Sequence, residues 1–284
     1  MNWNMTKTAL LFFLLTGLLL GISTLIGVDP ITALLLAGVM NFIVYFFSDS
    51  IVLAMTRAKA VSPNEAPRLH RIVNALSTRA GIPKPRVYVV QNDTPNAFAT
   101  GRNPSHAAVC VHTGLMGMLN DEEVEGVLAH ELSHIRHYDT LIMVVAATIA
   151  GAIAMIGRIF YYSSLFGYNR RERGGGNAMG ALVMMIVAPL AAMFIQFGIS
   201  RTREYMADEG GARLTGNPLG LASALRKIDH YARHRPMSPI QTKEALSSLY
   251  IINPFKRSTI VALLSTHPPV AKRVERLERL ASRM

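Results

Sequence analysis

Cysteine is almost absent from this chain of 284 residues, which contains only Cys110, in an apolar run typical of a strand. A single cysteine excludes an intrachain disulfide, so nothing in the sequence requires an oxidising compartment. Acidic residues are also scarce: the chain has 18 Asp and Glu but 29 Lys and Arg, and the net charge is +11. The basic residues are scattered and no motif combines them with aromatic residues, which argues against nucleic-acid binding. A membrane protein with cytoplasmic Lys and Arg accounts better for the excess.

Charge is missing from two long stretches near the N-terminus. Residues 8–27 are almost wholly apolar, and residues 31–48 form a second run that only Asn41 interrupts. Each run has about the 20 residues that a bilayer-spanning helix needs. A cleaved signal peptide is the alternative for the first run, but the run is too long and no small-x-small cleavage site follows it. The two runs predict a transmembrane helical hairpin, spans 8–27 and 31–48 of an anchoring domain 1–56.

The charges around this hairpin predict its orientation. Lys7 precedes it, Arg57 and Lys59 follow it, and Asp29 is the only charge in the connecting turn. Because Lys and Arg accumulate on the cytoplasmic side of membrane proteins, both ends of the hairpin are expected in the cytoplasm. The domain that follows, residues 57–284, is then expected to be cytoplasmic too.

The pattern H-E-x-x-H occurs at His130, Glu131 and His134. On a helix, residues four apart lie on one face, so both imidazoles can bind one metal ion. Zinc binds neutral imidazole and keeps an open position in catalytic sites. The carboxylate of Glu131 beside such a site is the usual general base of a metalloprotease. By itself the pattern can also arise by chance, so the rest of the sequence has to support it.

Further residues complete this site. Asn120 or Asp121 can cap the helix that carries the pattern. Acidic residues in its first turn interact favourably with the helix dipole. Downstream, Glu204 and Asp208 are four apart and share a helix face. Glu204 can complete a His₂Glu site, while Asp208 can accept the spare ring N–H of a ligand histidine. The alternative is a solvated helix in which Glu204 pairs with Arg201.

The segments LAHELSHIRHYD and SRTREYMADEGGA together resemble the gluzincin metallopeptidases of family M48, and specifically the HtpX-type membrane proteases. The resemblance runs over most of the chain, and no expected ligand is missing. It implies one Zn²⁺ per chain and endopeptidase activity on membrane or misfolded proteins. It also implies a multi-pass protein of the cell inner membrane with a role in quality control under stress.

Two strands are predicted at residues 86–90 and 107–111, where valine is frequent and polarity alternates. Between them, the segment Asn96, Ala97, Phe98 and Ala99 resembles the substrate-binding edge strand of gluzincins. Such a strand binds extended peptides by main-chain hydrogen bonds and so accepts many sequences. The alternative for Phe98 is an ordinary core position. His106 and His112 are expected to be structural.

Several amphipathic helices are predicted around this site. Residues 62–80 carry an apolar stripe that Gly81 ends, with His70 in a structural place. Residues 218–233 form another, in which the spacing of His230 and His234 would suit a metal but no acid or cysteine completes the site. Residues 270–282 close the chain. On that last helix the basic residues are expected to form a solvated face: Lys272, Arg273, Arg276 and Arg279.

A second apolar hairpin, about 141–199, is predicted between His134 and Glu204. Its two apolar runs, 141–156 and 178–198, are expected to lie antiparallel. The hairpin then begins and ends on the same side, so His134 and Glu204 can meet in space. If this hairpin crossed the bilayer, Arg158, Arg170, Arg171 and Arg173 would lie on the far side, against the positive-inside rule. Four spans are favoured. The alternatives are a hairpin packed partly on the protein, a hairpin whose orientation the first two spans dictate, and an interior pair of apolar helices.

His267, in the sequence Ser265-Thr266-His267-Pro268-Pro269, completes the set of candidates. In HtpX-like proteases a His-Pro pair lies beside the metal, which implies that His267 stabilises the oxyanion. The alternative is a turn histidine before a helix that begins at the prolines.

The sequence therefore predicts a mainly α fold with a small β-sheet, a membrane-anchored, zincin-like zinc protease domain. Its expected partners are protein substrates and the lipid bilayer, not nucleic acid, and the sequence gives no oligomeric state. A processing protease like the prenyl-protein peptidases is one alternative, although those have more spans. A non-catalytic zinc-stabilised scaffold or chaperone is another, but Glu131 has no use in a closed structural site.

Overall fold

The structure is a computed structural model that describes residues 3–25, 28–143, 145–146, 201–234 and 268–284. His267 and most of the predicted apolar hairpin 141–199 lie outside the described residues. The described part is mainly helical with one small sheet, as predicted from the sequence.

Two long helices form the N-terminal hairpin. Helix α1 spans Trp3–Leu25, and helix α2 spans Pro30–Thr56. Asp29 caps α2 by accepting hydrogen bonds from the main-chain N–H groups of Ile31 and Thr32, and proline at the first turn suits a helix start. The helices lie side by side, since the Asn41 amide on α2 donates to the Thr16 hydroxyl on α1 over 2.8 Å.

Helix α2 is long and apolar enough to cross a membrane. Its window Pro30–Phe47 has a mean hydropathy of 2.0 and is only 17% buried. The apolar part of α1 within the described residues is shorter, Thr8–Gly21. Large apolar side chains of the hairpin are exposed, which is the surface that a bilayer would cover. They include Phe13, Ile31, Leu34, Leu35, Leu36 and Val39.

The sheet has four strands in the order β1-β2-β4-β3. Strand β1 is Lys59–Ala60, β2 is Arg86–Val90, β3 is Ala97–Gly101 and β4 is Ala107–His112. Strands β2 and β4 pair in parallel, whereas the other two pairs are antiparallel. The predicted strands 86–90 and 107–111 are present, and the segment around Ala97 forms an edge. The two-residue strand β1 was not predicted.

Within the described residues, six further α-helices follow the N-terminal hairpin. They are α3 (Pro67–Ala80), α4 (Thr113–Met118), α5 (Asp121–Arg136), α6 (Arg201–Thr215), α7 (Pro218–His234) and α8 (Val270–Ala281). Helix α3 begins five residues later than predicted, because Glu65 binds the main-chain and hydroxyl groups of Ser62 in a separate turn. It ends at Gly81, whose φ of 65° suits glycine.

The sheet has a different partner on each face. Helices α3 and α5 pack on one face, and the core continues from there to α6, α7 and α8. On the other face, Val52 and Leu53 of α2 contact Phe98 and Cys110 in a small apolar cluster. The N-terminal hairpin is therefore packed directly against strands β3 and β4.

Five histidines outside the H-E-x-x-H pattern have local partners. His70 is bonded to the Val61 carbonyl, His106 to the Asn103 side chain and His112 to the Thr94 carbonyl. His230 and His234 are exposed and stack on each other, with ring centroids 4.0 Å apart. Within the described residues, the histidines gathered with other possible metal ligands are His130 and His134.

Candidate metal centre

Helix α5 carries three of the candidate residues, and a capping box fixes where it begins. The Asn120 side chain accepts from the Glu123 N–H over 2.9 Å, and the Glu123 carboxylate accepts from the Asn120 N–H over 3.0 Å. Ser223 and Lys227 of α7 bind the same carboxylate at 2.6 Å and 2.8 Å. This cap sets the helix register, which presents His130 and His134 on one face.

The two imidazoles and Glu204 converge on one point. The Nε2 atoms of His130 and His134 lie 3.2 Å apart. Glu204 of α6 places one carboxylate oxygen 3.4 Å from His134 Nε2 and the other 3.8 Å from His130 Nε2. Donor atoms about 2.0–2.1 Å from a tetrahedral zinc lie about 3.3 Å from one another. The observed spacing therefore fits a zinc ion.

The tautomers of the histidines lead to the same conclusion. His130 Nδ1 lies 2.9 Å from Asp208, and His134 Nδ1 lies 3.0 Å from Asp139. Since carboxylates only accept, each Nδ1 carries a proton, and each Nε2 atom points to the centre. In the tautomer with the proton on Nδ1 alone, the two Nε2 lone pairs face each other at 3.2 Å. A cation between the two Nε2 atoms satisfies both lone pairs.

The charge of the surrounding groups also favours a divalent cation. Among the described residues, four carboxylates and two guanidiniums meet around the histidines, which leaves a formal charge of −2. Buried charges are stable only when they are balanced. The groups are Glu131, Asp139, Glu204 and Asp208 against Arg203 and Arg273.

Glycines in α6 allow the close approach that brings Glu204 to the histidines. A Cβ atom added at Gly211 would lie 2.8 Å from the main-chain nitrogen of His130, and one at Gly210 would lie 2.8 Å from the Ser133 hydroxyl. Both distances are shorter than van der Waals contact. The Gly210-Gly211 pair therefore sets the distance between α6 and α5.

Glu131 is buried beside the metal ligands and is anchored on strand β3. Its Oε2 accepts a hydrogen bond from the Ala99 N–H over 2.9 Å. Burial raises the pKa of this carboxyl, and the neighbouring histidines only partly oppose that effect. The side chain therefore holds a proton more readily than an exposed glutamate does.

Asp139 was not identified from the sequence, although it directly orients a ligand. Tyr138, which precedes it, has a φ of 61° and turns the chain back after α5. This turn places the Asp139 carboxylate on His134, and Arg203 lies 3.4 Å from its second oxygen. An acid five residues after a ligand histidine is a sequence feature that could have suggested this role.

Arg273 contradicts the prediction that its side chain is solvated. It is 0% exposed and binds Asp208 through two nitrogens, at 2.8 Å and 2.6 Å. Its third nitrogen lies 3.6 Å from Glu204. The apolar positions 270, 274 and 277 recur at helical spacing, and residue 273 lies within that inward stripe. The prediction was wrong because it sorted residues by charge and not by position on the helix.

The pair of Arg273 and Asp208 holds both side chains ionised. Burial alone would raise the pKa of Asp208, but the charge of Arg273 and the hydrogen bonds from His130 and Arg273 outweigh it, so the pKa lies at about 2. Burial likewise opposes the charge of Arg273, yet Asp208 raises the pKa of that guanidinium above its usual value. Helix α8 is thereby tied to the metal site.

The main-chain N–H and C=O groups of β3 point alternately toward β4 and outward toward the metal site. Asn96 accepts from the His112 N–H of β4, so Asn96 and Phe98 turn their main-chain groups toward β4. Ala97, Ala99 and Gly101 turn theirs outward. The outward groups of Ala99 and Gly101 bind Glu131 and Thr140. The Phe98 side chain lies in the apolar cluster beneath α2, away from the metal ligands.

Comparison with known proteins agrees with this geometry. The sequence pattern of peptidase family M48 matches residues 63–281. A "Protease HtpX homolog" from Pyrococcus furiosus is 50% identical over 280 residues, which cover 98% of this chain and 96% of the relative. "Protease HtpX" from Legionella pneumophila (strain Corby) is 48% identical over 279 residues, with coverage of 98% and 99%.

Among solved structures, Ste24p from S. mikatae has a similar fold, with a TM-score of 0.51 at 20% identity. The alignment covers 96% of this chain but 65% of Ste24p. The fold and the His130, His134 and Glu204 site define a zinc metalloprotease. The chain belongs to peptidase family M48 and is a homologue of the HtpX membrane proteases.

Proposed function

We propose that this chain is a membrane-bound zinc endopeptidase that cleaves membrane or misfolded proteins in the manner of a quality-control protease. The observation that carries the proposal is the convergence of His130, His134 and Glu204 with the Glu131 carboxylate beside them. A closed structural site would have no need for this second carboxylate.

Three side chains hold one zinc ion per chain in this proposal: His130, His134 and Glu204. When bound, zinc acts as a Lewis acid that polarises a carbonyl and makes water more acidic. Asp208 and Asp139 keep the two imidazoles in the tautomer and orientation that ligation needs.

Glu131 is the proposed general base. It takes a proton from the attacking water and returns that proton to the amine of the leaving peptide. Its raised pKa, caused by burial, suits a group that must hold the proton between the two steps. The Ala99 N–H fixes one carboxylate oxygen, so the other remains for proton transfer. His267 is the proposed oxyanion donor, on the strength of its place in the sequence.

Substrate is proposed to pair with the outer edge of β3, along Asn96 to Ala99. The outward main-chain groups of Ala97 and the carbonyl of Ala99 can continue the sheet onto an extended peptide. Ala97 is 0% and Ala99 3% exposed, so a substrate reaches this edge only after the site opens. Such opening is common in proteases and other enzymes that exclude water.

Residues 1–56 are proposed to anchor the chain by two spans, and residues 57–284 to form a protease domain facing the cytoplasm. The exposed apolar surface of α2 and the charges at Lys7, Arg57 and Lys59 support this topology. The apolar region 141–199 is proposed to add two further spans between the ligands.

The substrate class can be tested with the detergent-purified, zinc-loaded protein. We expect cleavage of an unfolded soluble protein and of a membrane protein with an exposed damaged segment. A farnesylated peptide should be cut no faster than its unmodified form. Preferential cleavage of the prenylated peptide would favour a processing protease, and bound zinc without any cleavage would favour a scaffold.

A further inference from the structure

A cavity of about 750 Å³ lies where the membrane hairpin meets the protease domain. Its walls come from α1, α2, the turn after β3 and the segment after α5. This volume is within the usual range of ligand-binding sites. We call it the junction cavity, and its lining includes Ala9, Asn41, Phe42, Phe46, Arg102 and Tyr138.

Two residues of the cavity lining are chain neighbours of residues in β3 and at the metal site. Arg102 lines the cavity and directly follows Gly101, the last residue of β3. Tyr138 also lines it and directly precedes Asp139, which lies 3.0 Å from His134. A peptide that follows the outer edge of β3 past Gly101 therefore comes next to Arg102 in the cavity lining.

The cavity also crosses the boundary between the apolar and polar parts of the hairpin. Asn41 lies six residues before Phe47, where the apolar window of α2 ends. At a rise of 1.5 Å per residue, Asn41 lies about 9 Å from the end of the apolar part of α2, on its apolar side. Tyr45 and Phe46 lie near the end of the window, at the level where aromatic residues are common in membrane proteins. The Arg102 guanidinium lies 5.2 Å from the centre of the Phe46 ring.

Among the described residues, one polar atom of this lining lacks a hydrogen-bond partner. The Asn41 amide nitrogen donates to Thr16, whereas the Asn41 carbonyl oxygen is buried and unpaired within the described part of the chain. A buried acceptor without a donor is destabilising. An occupant that displaces the neighbouring side chains and brings an N–H group to this oxygen would satisfy it. A peptide has such groups along its whole length, whereas the acyl chain of a lipid has none.

We propose that the junction cavity binds the membrane-proximal segment of a membrane-anchored substrate, on the side of the scissile bond that emerges from the bilayer. The occupant is an apolar stretch of polypeptide with free main-chain N–H groups. This assignment rests on the proposed function and adds the site by which a membrane-anchored protein is preferred over a soluble one.

The test compares one cleavable sequence in two forms, in proteoliposomes that contain the full-length zinc enzyme. One form is soluble and unfolded, and the other carries a single transmembrane helix next to the cleavage site. Ala9→Phe fills the cavity, and Asn41→Leu removes the acceptor at similar volume. Leu36→Phe, on an exposed position of α2, is the matched control.

For Ala9→Phe and Asn41→Leu we expect cleavage of the anchored form to fall about tenfold, which corresponds to the loss of one or two good contacts. Cleavage of the soluble form should not change, and Leu36→Phe should cleave both forms like the wild type. An equal fall for both forms, or no fall for either, would overturn the assignment.

A second measurement does not depend on turnover. A photo-crosslinking residue in place of Phe42, in the inactive Glu131→Gln background, should capture the anchored substrate and not the soluble one. Adducts with phospholipid alone would identify a lipid site and reject the proposal. If the wild type cleaves neither form but crosslinking succeeds, the catalytic proposal fails while the docking assignment stands.

Discussion

The identity of single residues around the metal centre has consequences that can be measured. Arg273→Leu should leave the Asp208 carboxylate buried without its cation, at a cost of about 3–5 kcal/mol in unfolding free energy. It should also weaken zinc binding, because Asp208 orients His130. Denaturant unfolding and chelator competition would measure both effects.

Lys272→Leu is the control for that variant, since it lies one position away on α8 and is exposed. It should change the unfolding free energy by less than about 0.5 kcal/mol. If Arg273→Leu were as stable as Lys272→Leu and bound zinc equally well, α8 would not be tied to the site through this pair.

Asp139 gives a second prediction at the same scale. Asp139→Asn keeps a similar shape but removes the charge that holds the Nδ1 proton of His134. Loss of such a partner typically lowers metal affinity about 10–100-fold. Glu209→Gln, on an exposed pair with Arg213, should leave zinc affinity unchanged. Equal affinities for Asp139→Asn and the wild type would remove Asp139 from the site.

At the scale of elements, the spacing of α5 and α6 controls whether Glu204 reaches the histidines. Gly211→Ala would bring a methyl group to within 2.8 Å of the main chain at His130. Overpacking of this kind costs about 1–3 kcal/mol, and we expect zinc affinity to fall as well. Gly117→Ala in α4, where no atom lies within 4 Å, should be neutral or slightly stabilising.

The elements themselves were largely predictable, because their causes are local. The Asn120 cap, the apolar period of α3 and the valine-rich strands can all be identified in a few neighbouring residues. The two-residue strand β1 escaped prediction because only its pairing with β2 makes it a strand. The H-E-x-x-H motif alone predicted His130 and His134 as ligands. Apart from Asp139, the residues that hydrogen-bond to the side chains of this motif come from distant segments.

Two contacts with these distant residues could not be predicted from the sequence. The main-chain N–H of Ala99 donates to the Glu131 side chain across 32 positions. Because any residue type except proline has such an N–H group, the identity of residue 99 does not predict this hydrogen bond. The buried pair of Arg273 and Asp208 spans 65 positions. Basic residues are usually solvated, so only the helical position of Arg273 distinguished it from its neighbours.

At the scale of the whole molecule, the N-terminal hairpin packs directly against the sheet that borders the metal site. Val52 and Leu53 of α2 pack under Phe98 of β3, and Asp49 of α2 binds Arg86 of β2 over 2.7 Å. The position of the hairpin is therefore coupled to the strand that holds Glu131.

Leu53→Ala tests that coupling. Removing this buried side chain should cost about 2–5 kcal/mol of stability. It should also slow cleavage, because β3 loses support beneath Phe98, while zinc affinity stays the same. Leu36→Ala, at an exposed position of the same helix, should change neither quantity. Unchanged cleavage in a destabilised Leu53→Ala enzyme would show that the contact serves only to anchor the domain.

The most direct test of the whole account is to measure bound zinc and cleavage of an unfolded protein for the wild type and Glu131→Gln. We expect one zinc per chain in both proteins and cleavage by the wild type alone. A Glu131→Gln enzyme that still cleaves at the wild-type rate would contradict the role of Glu131. Absence of bound zinc from both proteins would contradict the assignment of His130, His134 and Glu204 as its ligands.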